Sequence, residues 1–235
     1  MAEPLWVAFG LATVAGLSIP LGAWLAVWRM DFLPDWAETE ARHGVMAFGA
    51  GALLAAVALV LLPEGTSRLE PPAALFWFIF GGAGFALIDR QLSKSGSKAA
   101  QFMAMMMDYI PEALALGAVI VGDPGAALLV AMLICVQNLP ESFNAMREMN
   151  GTHGHPSIWL FCFMVPIGPL AAGLGLMLPT SFDPVVGAVM LFSAGGILYL
   201  MFQDIAPQVP LNNTMLPPLG AVLGFAVGLA GDLLI

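Results

Sequence analysis

The sequence predicts an all-α integral membrane protein with eight transmembrane helices in one domain, residues 1–235. Three observations predict it. Hydrophobic residues make up 60% of the chain and charged residues only 10%, with a mean hydropathy of +0.89, far too apolar for the surface of a soluble domain. Apolar runs recur at about twenty residues, the length that crosses ~30 Å of hydrocarbon at ~1.5 Å per residue. These runs show little amphipathic alternation, and their length is that of helices rather than of barrel strands.

Taken in order, the runs cover residues 4–28, 43–62, 72–89, 99–121, 125–147, 157–178, 184–206 and 215–235. The first begins "MAEPLW", with an acid where a signal peptide has its basic region, and its apolar stretch is too long for one, so it is expected to stay in the mature protein. The second ends at "LLPEG". After the third comes "DRQLSKSGSKAA", rich in Ser, Gly and Lys, which reads as a short flexible loop. Runs four and five are separated by the turn "GDPG" (122–125), and runs six and seven by "LPTSFDP" (178–184). Run seven ends near "FQDIAPQ", and run eight closes the chain. Cys135 and Cys162 both fall inside apolar runs and read as small buried hydrophobes.

Seven Lys and Arg residues orient the spans. Arg29 and Arg42 flank the first loop, Arg90, Lys94 and Lys98 belong to the third, and Arg147 opens the fifth; only Arg68 lies on the other side. The positive-inside rule then places both termini outside the cytoplasm, in a plasma (inner) membrane protein. The net charge of −9 excludes a nucleic-acid partner and an anionic-lipid patch; the bilayer is the expected partner.

The chemistry lies in "MDYIPEALALG" and "VQNLPESFNAM". Run four carries Asp108 and Glu112 near mid-membrane, and run five carries Gln137 and Glu141 at the same spacing. Residues four apart share a helical face. An acid at mid-bilayer costs roughly 2.5–3.5 kcal/mol on insertion scales, and no Lys or Arg lies in the middle of any run to balance these three. Pro111 cannot donate to the carbonyl of Met107, nor Pro140 to that of Val136, so each helix frees a backbone oxygen one turn before its Glu. Carboxylates, an amide oxygen and loose carbonyls are the donors of a divalent cation held by oxygen. Two facing, kinked helices are therefore expected to form an intramembrane cage for a metal ion that is substrate rather than cofactor.

Other polar residues are weighed beside these. Asn138 is a metal ligand or interhelical glue, and Asn144 is more readily glue. Met105 stands one turn from Asp108, as a thioether ligand or as core packing. Glu64, Asp89 and Asp204 lie near membrane ends as entrance groups or solvated helix ends. His43 opens run two, and His153 and His155 form a His-x-His pair able to capture metal transiently.

With these residues in view, the chain resembles the ZIP (Zrt/Irt-like) divalent metal transporters. "MAFGAGALLAAVALVLLPEG" (46–65), "DYIPEALALGAVI" (108–120), "QNLPES" (137–142) and "SAGGILYLMFQDIAPQ" (193–208) look like the second, fourth, fifth and seventh helices of that family. The resemblance implies a 3+2+3 arrangement whose outer triplets are inverted repeats, with helices four and five holding the metal. It implies movement of zinc, iron, manganese or a similar ion toward the cytoplasm by displacement of helices one, four, five and six, often in a homodimer. The family's helix four usually reads His-Asn-x-Pro-Glu, where this chain has Asp108 and Tyr109; its helix five usually begins His-Glu or His-Asp, where this chain has Gln137 and Asn138. Val60 stands where many members have His before the Pro-Glu of helix two, and helix six offers no carboxylate. An oxygen-only site shifts preference from zinc toward manganese, magnesium, calcium or ferrous iron. The site expected is thus Asp108, Glu112, Gln137 and Glu141, with Asn138 and Met105 as further candidates.

Two other classes compete. A membrane enzyme would need acid and base groups in a recognisable frame, and the chain has no H-E-x-x-H and no G-x-S-x-G, so it is expected not to be an enzyme. A non-transporting relative that senses metal or scaffolds other proteins is the alternative to a carrier.

Overall fold

The computed structural model describes residues 2–27, 35–95, 100–150, 158–208 and 214–234. Arg29, Lys98, His153 and His155 lie outside them, and so does the side chain of Asp204. Among the described residues the fold is helical, with short turns and no strand. The helices are α1 (Ala2–Val27), α2 (Asp35–Ala56), α3 (Pro71–Ser95), α4 (Ala100–Val119), α5 (Pro124–Asn150), α6 (Ile158–Cys162 and Ile167–Met177), α7 (Asp183–Leu200) and α8 (Leu216–Leu234). α2 continues through a π-helical turn, Val57–Leu61, into Leu62–Ser67, and α7 continues through a π-helical turn, Met201–Ile205, into Ala206–Gln208.

Seven helices are long and apolar enough to cross a membrane; α4, with 20 residues, also has the length but carries two carboxylates. Two expectations about ends change. The loop read as flexible after run three is helical as far as Ser95, because no Gly or Pro in "DRQLSKS" interrupts helix formation before Gly96. The sixth span is broken at 163–166, where Pro166 lacks the N–H that would continue the ladder.

Burial separates the helices into layers. Over an 18-residue apolar stretch of each, the spans built on α2, α5 and α7 are 67%, 61% and 61% buried, against 17% for α3 and 28% for α8, so the first three line the interior and the last two face outward. The core joins Ala8, Ala12, Ala15 and Ile19 of α1 to Leu116 of α4, Ile134 of α5, Phe161 of α6 and Met190 of α7.

The pairing of helices has a hidden order. α8 packs along α2 and α3 along α7; α1 packs along α5 and α6 along α4; α4 meets α5, and α1 meets α6. Exchanging helices one, two and three with six, seven and eight, and four with five, maps this set of neighbours onto itself. The same exchange is written in the sequence: "MAFGAGALL" (46–54) matches "MLFSAGGIL" (190–198), and Pro63 falls in register with Pro207. Close backbone contacts repeat with it. A side chain at Gly51 would strike the Ala221 carbonyl and one at Gly224 the Phe48 carbonyl, while one at Gly195 would strike the Phe78 carbonyl and one at Gly81 the Phe192 carbonyl. Such small-residue contacts let helices pack closely in lipid, where no hydrophobic drive separates helix from tail.

The two π turns also coincide in this register. In the first, the Leu62 N–H bonds to the Val57 carbonyl; in the second, the Ala206 N–H bonds to the Met201 carbonyl. Their cause is local: the rings of Pro63 and Pro207 would collide with the carbonyls of Leu59 and Gln203 in a regular α-helix, and the wider turn takes those carbonyls out of the way.

Candidate functional site

α4 and α5 run through Pro111 and Pro140 without interruption and bring their polar faces together. The Gln137 side-chain nitrogen donates to both oxygens of Glu112, at 2.7 and 2.6 Å. Asp108 Oδ1 accepts from the Tyr109 N–H at 2.8 Å. The carboxylates of Asp108, Glu112 and Glu141 are close enough for their charges to repel one another. Gln137 and Asn138 have no solvent exposure, and Glu112 is only 1% exposed. Among the described residues, none of the three carboxylates meets a Lys or Arg; an ion pair does form between Arg68 and Glu64, at 2.7 Å, but within the end of the second span.

Several polar atoms in this region are buried without a hydrogen-bond partner: Gln137 Oε1, both Asn138 amide atoms, Glu141 Oε2 and the Tyr109 hydroxyl. An unmet polar group in a hydrocarbon setting costs several kcal/mol, on the order of a lost hydrogen bond in an apolar medium, so each of these atoms calls for a partner such as water or an ion. Asn138 serves the site in a second way, since its carbonyl accepts the Ser142 hydroxyl at 2.7 Å. Around the pair, α2 lays Gly49 against the Pro140 ring, and α1 lays Gly22 against the Leu139 carbonyl, so α5 is held at backbone distance on two sides.

Among the described residues, no group of three or more His, Cys, Asp or Glu side chains is arranged to hold a metal ion. The Gln137 amide nitrogen faces Glu112 and takes up both oxygens of that carboxylate. Rotation of the amide would bring Oε1 forward instead, and the donors then on offer are carboxylate and amide oxygens from two helices. The donor types suit a hard divalent cation.

The remaining candidates separate. Met105 is 3% exposed and belongs to the apolar core. Asn144 is buried further along α5. Asp89 accepts from the Tyr199 hydroxyl at 3.0 Å and so ties α3 to α7. Glu64 lines a cavity of about 250 Å³ with Val60, Asp123 and Asp232 at one end of the bundle. Sequence reasoning passed over Tyr109, whose hydroxyl fills the space that side chains at Gly16 of α1 and Gly168 of α6 would need. It also passed over Asp123 and Asp232, which are remote from each other along the chain. The signal for both was available in outline, as acids at the ends of runs known to be membrane-spanning.

The chain matches no protein-family model, and no match is found among curated proteins.

Proposed function

We propose that this chain is a divalent cation carrier of the ZIP type, moving manganese, ferrous iron, zinc or a similar ion toward the cytoplasm, and not an enzyme. The observation that carries the reading is a group of three carboxylates, Asp108 and Glu112 buried and Glu141 half-buried, with no basic partner among the described residues, beside amide and carboxylate oxygens that no described protein donor satisfies. In this reading Asp108, Glu112, Gln137 and Glu141 hold the ion, Asn138 assists, and the carbonyls freed by Pro111 and Pro140 complete the shell. The symmetric helix pairing and the repeat between residues 46–64 and 190–208 support a 3+2+3 arrangement of inverted repeats. The positive charges support outward termini in a plasma (inner) membrane.

A second reading, a protein that binds metal or scaffolds partners without transport, is favoured by the closed Gln137–Glu112 contact. Uptake of labelled manganese, ferrous iron and zinc into vesicles containing the purified chain separates the two. Uptake that is lost in Glu112→Ala and in Glu141→Ala supports the carrier; saturable binding without uptake supports the alternative. Uptake indifferent to both substitutions overturns the site.

A further inference from the structure

Ser193 of α7 is fully buried, and its hydroxyl has no hydrogen-bond partner. That is unusual for a serine inside a helix, where the hydroxyl commonly turns back to a carbonyl three or four residues earlier. The other helical hydroxyls described do so: Thr13 bonds Phe9, Ser18 bonds Ala15, Thr66 bonds Leu62, Ser67 bonds Glu64 and Ser142 bonds Asn138. Ser193 makes no such bond, and it stands in the interior of a span where water does not reach an unmet hydroxyl.

The internal repeat says which neighbour. Ser193 stands in register with Gly49, and the Cβ direction at Gly49 runs into the Pro140 ring, with Cγ at 2.6 Å and the Gln137 carbonyl at 3.8 Å. Exchanging α2 for α7 and α5 for α4 converts Gln137-x-x-Pro140 into Asp108-x-x-Pro111, and α7 does pack against α4. The two copies thus differ at one telling place: on the α2 side there is room only for glycine, while the corresponding position on α7 carries a hydroxyl.

We propose that Ser193 supplies a further oxygen ligand to the transported cation, from α7 and against the Asp108–Pro111 turn of α4. This rests on the carrier reading above. A hydroxyl is a neutral hard donor, so it adds to the coordination of a divalent ion without adding charge to a site already rich in carboxylates. It also makes the site three-helical, with α4, α5 and α7 each contributing.

The test is calorimetric titration of the full-length detergent-solubilised protein with Mn²⁺ and with Cd²⁺, comparing the unaltered chain, Ser193→Ala and Ser193→Cys. Alanine removes an unmet hydroxyl from a helix and leaves the fold intact. The expected result is Mn²⁺ binding about tenfold weaker in Ser193→Ala, and a Cd²⁺ to Mn²⁺ affinity ratio at least about tenfold higher in Ser193→Cys, because a thiolate favours the softer ion. A purely structural serine would leave that ratio alone. An unchanged ratio in Ser193→Cys overturns the proposal whatever alanine does, and so does a Ser193→Ala affinity equal to that of the unaltered chain. If the unaltered chain binds neither ion, the carrier reading fails and this inference fails with it.

Discussion

The contact between Gln137 and Glu112 sets the behaviour of the site at the scale of single residues. One amide nitrogen bridging both carboxylate oxygens holds them as a protonic or metallic partner would, without neutralising their charge. Glu141→Ala is expected to weaken Mn²⁺ binding by about 100-fold or more, since it removes a charged donor rather than a supporting group, and titration calorimetry measures it. Gln137→Ala is expected to lose an oxygen donor yet release Glu112, so its loss is smaller than that of Glu141→Ala in the same titration. Protons and metal ions compete for the same oxygens: metal binding requires carboxylates without protons, so affinity falls as pH falls, and Mn²⁺ binding at about pH 5 is expected to be weaker than at about pH 7.5. A flat titration between those values contradicts this. The acids themselves were legible in the sequence because a mid-membrane carboxylate has so few innocent explanations. Their partner was not, since which amide hydrogen meets which oxygen is decided by how α4 and α5 are docked.

Among the helices, backbone contact through glycine dominates. α2 with α8 and α3 with α7 approach so closely that a side chain at Gly51, Gly81, Gly195 or Gly224 has no space. Gly195→Leu is therefore expected to destabilise the α3–α7 pair by about 3 kcal/mol or more, read as a lower temperature of irreversible unfolding in detergent, with Gly10→Leu as a comparison at a position where nothing lies within 4 Å. Apolar run length was enough to find the spans, because a bilayer imposes a minimum on every crossing. The break in α6, the helical continuation of α3 and the two π turns were not found that way. Each depends on a local effect, such as a missing N–H or a colliding ring, that leaves the apolar run unaltered. Ser193 was hidden for a related reason: a small residue in a Gly-rich stretch reads as packing until its hydroxyl is seen to lack a partner.

For the molecule as a whole, the repeated neighbours and the repeated sequence belong together, and the positive-inside rule predicts how they are oriented. With Cys135 and Cys162 replaced by alanine, an impermeant thiol reagent applied outside intact cells is expected to label Gly122→Cys and Leu234→Cys but not Gln91→Cys; the reverse pattern refutes the orientation. The repeat was expected from the family resemblance and not from the residues themselves, because only its α2 and α7 portions keep matching residues, while the rest survives as a pattern of who touches whom. The wide turns at 57–61 and 201–205 carry this into chain length. Each holds one residue of slack, and deleting Ala58 together with Pro63→Ala would let the backbone close into an ordinary α-helical coil without re-aiming the segments on either side. The chain is thus able to shorten by one there and still thread the bilayer in the same register, whereas a deletion at equal depth in α1 would rotate everything that follows it.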